Sequence, residues 1–175
     1  MSLVVFLRGV NVGGHKAFQP SVFARKLGGL EVKSVGAAGT FIVRGNVGER
    51  TVRSEFVKHL PFDAHVIICM GRELVDLVRD DPFHDHALDE DIKGFVSVLE
   101  SRPGGRPRLP IHQPEGKGWQ VAVIAVHGRF AVSLLRKTGR TLVYPNEVVE
   151  KRFEVVATTR SWNTILRLRH DLETG

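Results

Sequence analysis

The chain has 175 residues, of which 42% are hydrophobic and 25% charged, as is typical of globular proteins with a packed core. Its single cysteine excludes an intramolecular disulfide, and no apolar run approaches the ~20 residues that cross a bilayer. The first residues lack the basic and apolar regions of a secretory signal. We therefore predict a cytoplasmic protein without a membrane partner, and a monomer rather than an oligomer.

The net charge of +6 is concentrated in the second half of the chain. Residues 1–92 carry 11 Lys and Arg against 12 Asp and Glu, whereas residues 93–175 carry 14 against 7. Such asymmetry is typical of a region that binds an anionic partner, although many basic domains bind none.

Apolar periodicity and turn residues predict alternating elements in the first half. Strands are predicted at 3–9, 32–39, 40–46 and 63–70, and helices at 20–27, 49–60 and 71–81. The first six elements have the β-α-β-β-α-β order of ferredoxin-like folds. The single cysteine, Cys69, lies in the apolar stretch "HVIICM" and is predicted to be a buried, unreactive thiol.

The second half repeats this pattern without the first helix. Strands are predicted at 94–101, 119–128, 129–137 and 154–158, and helices at 145–153 and 161–172. Residues 101–118 contain four prolines and four glycines and are predicted to form a loop. We predict an α+β protein of two ferredoxin-like (α/β-plait) units with antiparallel sheets: residues 1–80 with an extra helix, an acidic connector at 81–92, and residues 93–175.

Five motifs occur in the order "LRGVNVGG" (7–14), "RGNV" (44–47), "DPF" (81–83), "YP" (144–145) and "TTRSWNT" (158–164). In these motifs the chain resembles the DUF1697 family, a bacterial family of unknown function. The resemblance implies two ferredoxin-like units and supplies no reaction. The chain departs from the family pattern at Arg44, where members carry a small residue, and at Ser161, where they carry asparagine.

The stretch "LRGVNVGGHK" (7–16) connects a predicted strand to a helix. It is not a Walker loop, because His15 intrudes before Lys16 and Ala17 stands where Ser or Thr would bind magnesium. Two interpretations remain: its backbone N–H groups and Lys16 hold an anion, or its glycines only form a tight turn.

In "TTRSWNT", Thr159 or Ser161 is predicted to cap the last helix. Arg160 is interpreted either as a clamp for phosphate or carboxylate, or as the partner of a structural carboxylate. We predict that a phosphate-bearing or other anionic ligand binds between the 9–16 loop and the 158–164 helix start. The predicted ligand-binding residues are Arg8, Asn11, Gly13, Gly14, Lys16, Asn46, Thr159, Arg160 and Asn163.

Two alternatives stay open. The first is nucleic-acid binding of low specificity through the basic half, by Arg102, Arg106, Arg108, Arg136, Lys137 and Arg140. A standard RNA-recognition motif is rejected, because the third strand offers Phe41 as its one aromatic residue. The second alternative is an enzyme with an unrecognised site, since no nucleophile motif is present. We predict neither cofactor nor metal, because His84 and His86 lack further ligands in suitable spacing.

Overall fold

The computed structural model describes residues 1–10, 18–103 and 105–175, which form two antiparallel sheets of four and five strands with five helices. The α+β fold class is therefore confirmed. The described residues divide into two compact units, one of Met1–Asp76 with Leu166–Gly175 and one of Leu77–Ile165. The last ten residues, which we had assigned to the second unit, are thus grouped with the first.

The first part of the chain forms the four-stranded sheet. Its strands are β1 (Ser2–Arg8), β2 (Glu31–Ser34), β3 (Thr40–Arg44) and β4 (His65–Met70), and the helices are α1 (Pro20–Lys26), α2 (Glu49–His59) and α3 (Gly71–Arg79). The strand order β2-β3-β1-β4 is that of a ferredoxin-like sheet. Pro20 stands at the start of α1, where its missing N–H costs no hydrogen bond.

The core of this unit lies between the sheet and α1 and α2. Alternate residues of β1 face the helices, and three phenylalanines pack edge to face around them. The ring centroids of Phe23 and Phe56 lie 5.5 Å apart, and those of Phe41 and Phe56 lie 5.3 Å apart. The spacing of Val52 and Phe56 on α2, read from the sequence, therefore places both in the core as expected.

The second part of the chain forms the five-stranded sheet. Its elements are β5 (Ile92–Leu99), β6 (Ile111–Gln113), β7 (Val121–His127), β8 (Phe130–Arg136), α4 (Pro145–Phe153), β9 (Ala157–Ser161) and α5 (Trp162–Thr174). The strand order is β6-β7-β8-β5-β9. Without β6, this is the same ferredoxin-like order as in the first sheet.

The described residues of 101–118 form no helix, as predicted, but the prediction of a continuous loop was wrong. Ile111–Gln113 form the edge strand β6, which pairs with β7. Ile111 and Leu109 pack against the apolar core under α4, where they meet Val149 and Phe153. The segment therefore supplies apolar side chains at the place where a first helix is missing.

The "TTRSWNT" motif is mostly strand rather than helix start. The predicted strand at 154–158 was placed too early, because Glu154 ends α4 in the left-handed conformation and β9 begins at Ala157. Ser161 caps α5 as predicted, since its Oγ accepts a hydrogen bond from the Thr164 N–H at 3.3 Å. Thr159 does not cap, because it lies inside β9.

Two residues of the acidic segment 81–91, Pro82 and Phe83, are buried in the second unit, whereas residues 84–91 are exposed to solvent. Phe83 is buried, and its ring meets the Trp162 ring edge to face with centroids 5.0 Å apart. Gly94 makes this possible, because a Cβ there would lie 2.8 Å from the Phe83 ring. Asp89 orders the end of the segment by accepting the Ile92 and Asp91 N–H groups, which lowers the pKa of its carboxyl group.

The last turns of α5 are anchored on the first sheet. Asp171 is buried, and its Oδ1 accepts a hydrogen bond from Lys33 Nζ at 2.9 Å. The Arg44 guanidinium donates to the Asp171 carbonyl oxygen at 2.6 Å. Carbonyl groups at a helix C-terminus lack intrahelical donors and favour nearby cations. Arg44, one of the two departures from the family pattern, thus has a structural role.

None of the described helices is both long and apolar enough to cross a membrane.

We predict that Asp171→Asn lowers the free energy of unfolding by about 1–2 kcal/mol, because Lys33 loses a partly buried charged partner. Urea denaturation measures the change. The matched control is Glu173→Gln, which removes an exposed pair with Arg169 on the same helix and should change stability by less than about 0.5 kcal/mol. Equal losses in the two variants would contradict the anchoring role.

We also predict that the Cys69 thiol of the folded protein reacts slowly with a thiol reagent. Cys69 is 3% exposed in β4, the edge strand that pairs with β1, so reagent and solvent have little access to its thiol. Comparing labelling rates in buffer and in urea measures this protection. Rapid labelling of the folded protein, at the rate found in urea, would show that β4 is not a core strand in solution.

Candidate nucleic-acid interface

Of the predicted anion-binding residues of the first unit, the structure describes Arg8 and Asn46, and these two lie apart. Asn11, Gly13, Gly14 and Lys16 lie outside the described residues. Arg8 ends β1, whereas Asn46 follows β3 at the opposite end of the sheet, because Ser2 pairs with Arg44 and the strands are antiparallel. The seven residues of β1 separate the two ends by about 20 Å.

The predicted residues of the second unit also point in different directions. Thr159 and Arg160 are consecutive in β9, so their side chains lie on opposite faces of the sheet. On the face covered by α4, Thr159 Oγ1 lies 2.6 Å from Ser97 Oγ and donates to Asn146 Oδ1 at 2.9 Å. Asn163 is exposed in the first turn of α5.

Arg160 is buried on the other face, with 6% of its surface exposed. Its guanidinium donates to Thr158 Oγ1 at 2.8 Å and to the Thr159 carbonyl at 2.9 Å. Burial lowers the Arg160 pKa to about 10, so the side chain still carries its charge at neutral pH. The anionic-ligand site between 9–16 and 158–164 stays a prediction, since no described group of residues assembles it.

The arginines of the Pro/Gly segment line two neighbouring grooves at the edge of the five-stranded sheet. Arg102 and Arg106 border a groove of about 590 Å³ whose floor includes Val126 and Phe153. Arg108 borders a second groove of about 390 Å³, together with Arg152 of α4 and His112 of β6. Pro107 lines both grooves, so the two are adjacent.

Arg152 was missed in the sequence, although it completes the second groove. Its guanidinium lies 3.8 Å from Glu115, whose side chain is 88% exposed. An ion pair of this length and exposure contributes little and leaves the guanidinium able to bind another anion. Arg152 and Arg108 are 44 residues apart in the sequence. The helical pattern of α4 did not indicate that the two side chains would line the same groove.

The stripe of cations continues past His112 to an aromatic stack. The His112 and Trp119 rings are stacked with centroids 5.6 Å apart, and the Arg136 guanidinium carbon lies 3.7 Å from the Trp119 ring centroid. Arg136 also donates to the Lys117 carbonyl at 3.0 Å. This cation–π contact and hydrogen bond hold the Arg136 side chain in one position.

Gln120 orders the segment that follows β8. Its buried side chain donates to Thr138 Oγ1 at 2.9 Å and to the Arg140 carbonyl at 3.2 Å, and its Oε1 accepts the Leu142 N–H at 2.9 Å. Arg140 is therefore carried by a segment of defined conformation.

The six residues predicted to bind nucleic acid thus fall into two groups at opposite ends of β7, about 20 Å apart. Arg108, His112, Trp119 and Arg136 connect the two groups through the groove and ring contacts around β6. We name the whole surface the basic stripe. It consists of Arg102, Arg106, Arg108, Lys117, Arg136, Lys137, Arg140 and Arg152.

The described residues offer no comparable arrangement for binding a metal ion. Within the described ranges, no group of three or more His, Cys, Asp or Glu side chains is placed to hold a metal ion. His84 is exposed, and its pKa is raised by a hydrogen bond to the Asp81 carbonyl and by the charge of Asp85.

Comparison with known proteins gives a family but no activity. No curated protein matches the sequence at a significant level. Among solved structures, the chain is similar to the conserved bacterial protein SP0830 from Streptococcus pneumoniae, with a TM-score of 0.65 and 16% identity over 99% of this chain and 98% of that chain. At this identity the likeness shows the fold alone. The model of a family described as "Protein of unknown function (DUF1697)" matches residues 1–125. This match confirms the resemblance read from the motifs: the chain belongs to the DUF1697 family.

Proposed function

We propose that this protein binds nucleic acid with low sequence specificity through the basic stripe. The observation that carries the proposal is a row of basic and aromatic side chains around β6. Arg108, His112 and Arg152 line one groove. Trp119 stacks on His112, and the Arg136 guanidinium lies over the Trp119 ring. An extended row of cations is complementary to a polyanion. A small anion would occupy only one of the two grooves of the stripe.

The chemistry of the stripe suits phosphate groups. Guanidinium groups present several N–H donors in a planar fork that matches phosphate oxygens, and most of these arginines are exposed to solvent. Residues 93–175, which include the whole stripe, contain twice as many basic as acidic residues. A positive field of this kind attracts nucleic acid from solution and releases condensed counterions when it binds.

The proposed specificity is low, because the stripe contains the residue types that contact the backbone. Contacts to phosphate position a protein on nucleic acid and carry no sequence information. We therefore expect similar affinities for unrelated sequences of equal length.

We predict that the double variant Arg108→Gln/Arg152→Gln weakens binding to single-stranded oligonucleotides and reduces the slope of log K against log salt by about 1.4. The variant loses two phosphate contacts, and each contact contributes about 0.7 to the magnitude of this slope for single strands. Fluorescence anisotropy over a series of salt concentrations measures affinity and slope together.

The matched control is Arg50→Gln/Arg72→Gln, which removes the same charge from exposed positions of α2 and α3, outside the stripe. It should leave the slope unchanged. The proposal fails if the wild-type protein shows no salt-dependent binding at low ionic strength, or if the control reduces the slope as much as the stripe variant does.

A further inference from the structure

At one end of the basic stripe, two apolar side chains project into solvent. Leu142 is 65% exposed and Tyr144 is 52% exposed, whereas Val143 between them is partly buried and packs against the core under α4. This alternation is that of an extended chain, in which residues two apart share a side. Together the two side chains form a small exposed apolar patch on one side of the segment.

The position of the Tyr144 ring is prepared by its neighbours. Pro145 restricts the preceding residue to extended conformations, and Tyr144 has φ −116° and ψ 146°. Its carbonyl accepts the Val148 N–H at 3.3 Å in the first turn of α4. On the other side, Gln120 binds the Leu142 N–H. The backbone that carries the ring is therefore held at both ends.

The ring itself is unused within the protein. Among the residues that the structure describes, the Tyr144 ring has no aromatic contact and its hydroxyl has no hydrogen bond. Two exposed cations precede it in the chain, since Lys137 and Arg140 lie seven and four residues before Tyr144. An exposed flat ring beside cations is complementary to a nucleotide, whose base stacks while its phosphate pairs with the charge.

We propose that Tyr144, with Leu142 beside it, is a base-stacking platform, and that the nucleic acid bound by the basic stripe is single-stranded. The inference rests on the proposed function and adds the substrate class. Bases of a duplex are already stacked on each other, whereas an unpaired base can leave its neighbours and stack on an aromatic side chain. Stacking tolerates every base, so the platform is consistent with low sequence specificity.

The test compares two single-stranded probes of about 16 nucleotides, near the upper end of site sizes for such grooves. One probe is oligo(dT) and the other is an abasic oligonucleotide with the same number of phosphates. Tyr144→Leu keeps an apolar side chain and removes the π-face, and Tyr144→Phe keeps the ring and removes the hydroxyl. Circular dichroism and thermal unfolding verify that both variants are folded.

For oligo(dT), we expect Tyr144→Leu to weaken binding on the order of tenfold without changing the salt slope. Tyr144→Phe should bind as the wild-type protein does, because stacking needs the ring alone. Binding of the abasic probe should be weaker for the wild-type protein and unaffected by either variant. If Tyr144→Leu does not fold, Tyr144→Ala is used in its place. The proposal then expects Tyr144→Ala to bind oligo(dT) and the abasic probe with equal affinity.

The outcomes separate this inference from the proposed function. If the wild-type protein binds both probes equally and with the expected salt slope, the stripe binds phosphates and the platform is overturned. The same conclusion follows if Tyr144→Leu and Tyr144→Phe lose affinity equally, or if a duplex of the same length binds as tightly as oligo(dT). If the wild-type protein binds no probe at low salt, the proposed function itself is overturned.

Discussion

Proline and glycine keep the described residues of 101–118 out of a helix, and the position of the basic stripe follows from this constraint. Proline lacks the backbone donor that a helix interior needs, and glycine loses the most conformational freedom on ordering. The described part of the segment is irregular apart from β6, and Leu109 and Ile111 reach the core beside α4. Their charged neighbours, Arg106 and Arg108, stay outside along the grooves. Pro110 and Pro114 flank β6, which discourages pairing of this short edge strand with another chain.

Helix α5 gives a structural role to Arg44 and Ser161, the two residues at which the motifs are expected to depart from the family pattern. Ser161 caps its start, and serine accepts a hydrogen bond from the first turn as well as asparagine does. Arg44 binds a carbonyl near its end, across a sequence separation of 127 residues. Both residues serve the stability of one helix in this protein. The proposed binding surface uses neither of them, so the departures leave it intact.

The regular elements of the fold could be predicted because their signals are local. Apolar runs marked β1 and β4, Pro20 marked the start of α1, and Val52 with Phe56 marked the buried side of α2. Strand β6 was missed, because three residues between prolines carry no detectable period. The candidate site was less predictable. Its arginines on the Pro/Gly segment were visible, but Arg152, Gln120 and Tyr144 act through contacts that only the folded chain creates.

By itself, the sequence determined the charge of the second half, the order of the helices and of the strands other than β6, and the absence of a helix in the described part of 101–118. These could be predicted because composition and periodicity are properties of neighbouring residues. Only the tertiary structure decided which side chains meet. The start of β9 shows why. Successive side chains of a strand lie on opposite faces of the sheet, so a shift of β9 by one residue would move each of its side chains to the other face. That register sends Thr159 toward Asn146 and buries Arg160 on the other face. The same long-range packing brings Arg152 to Arg108, and no local pattern encodes it.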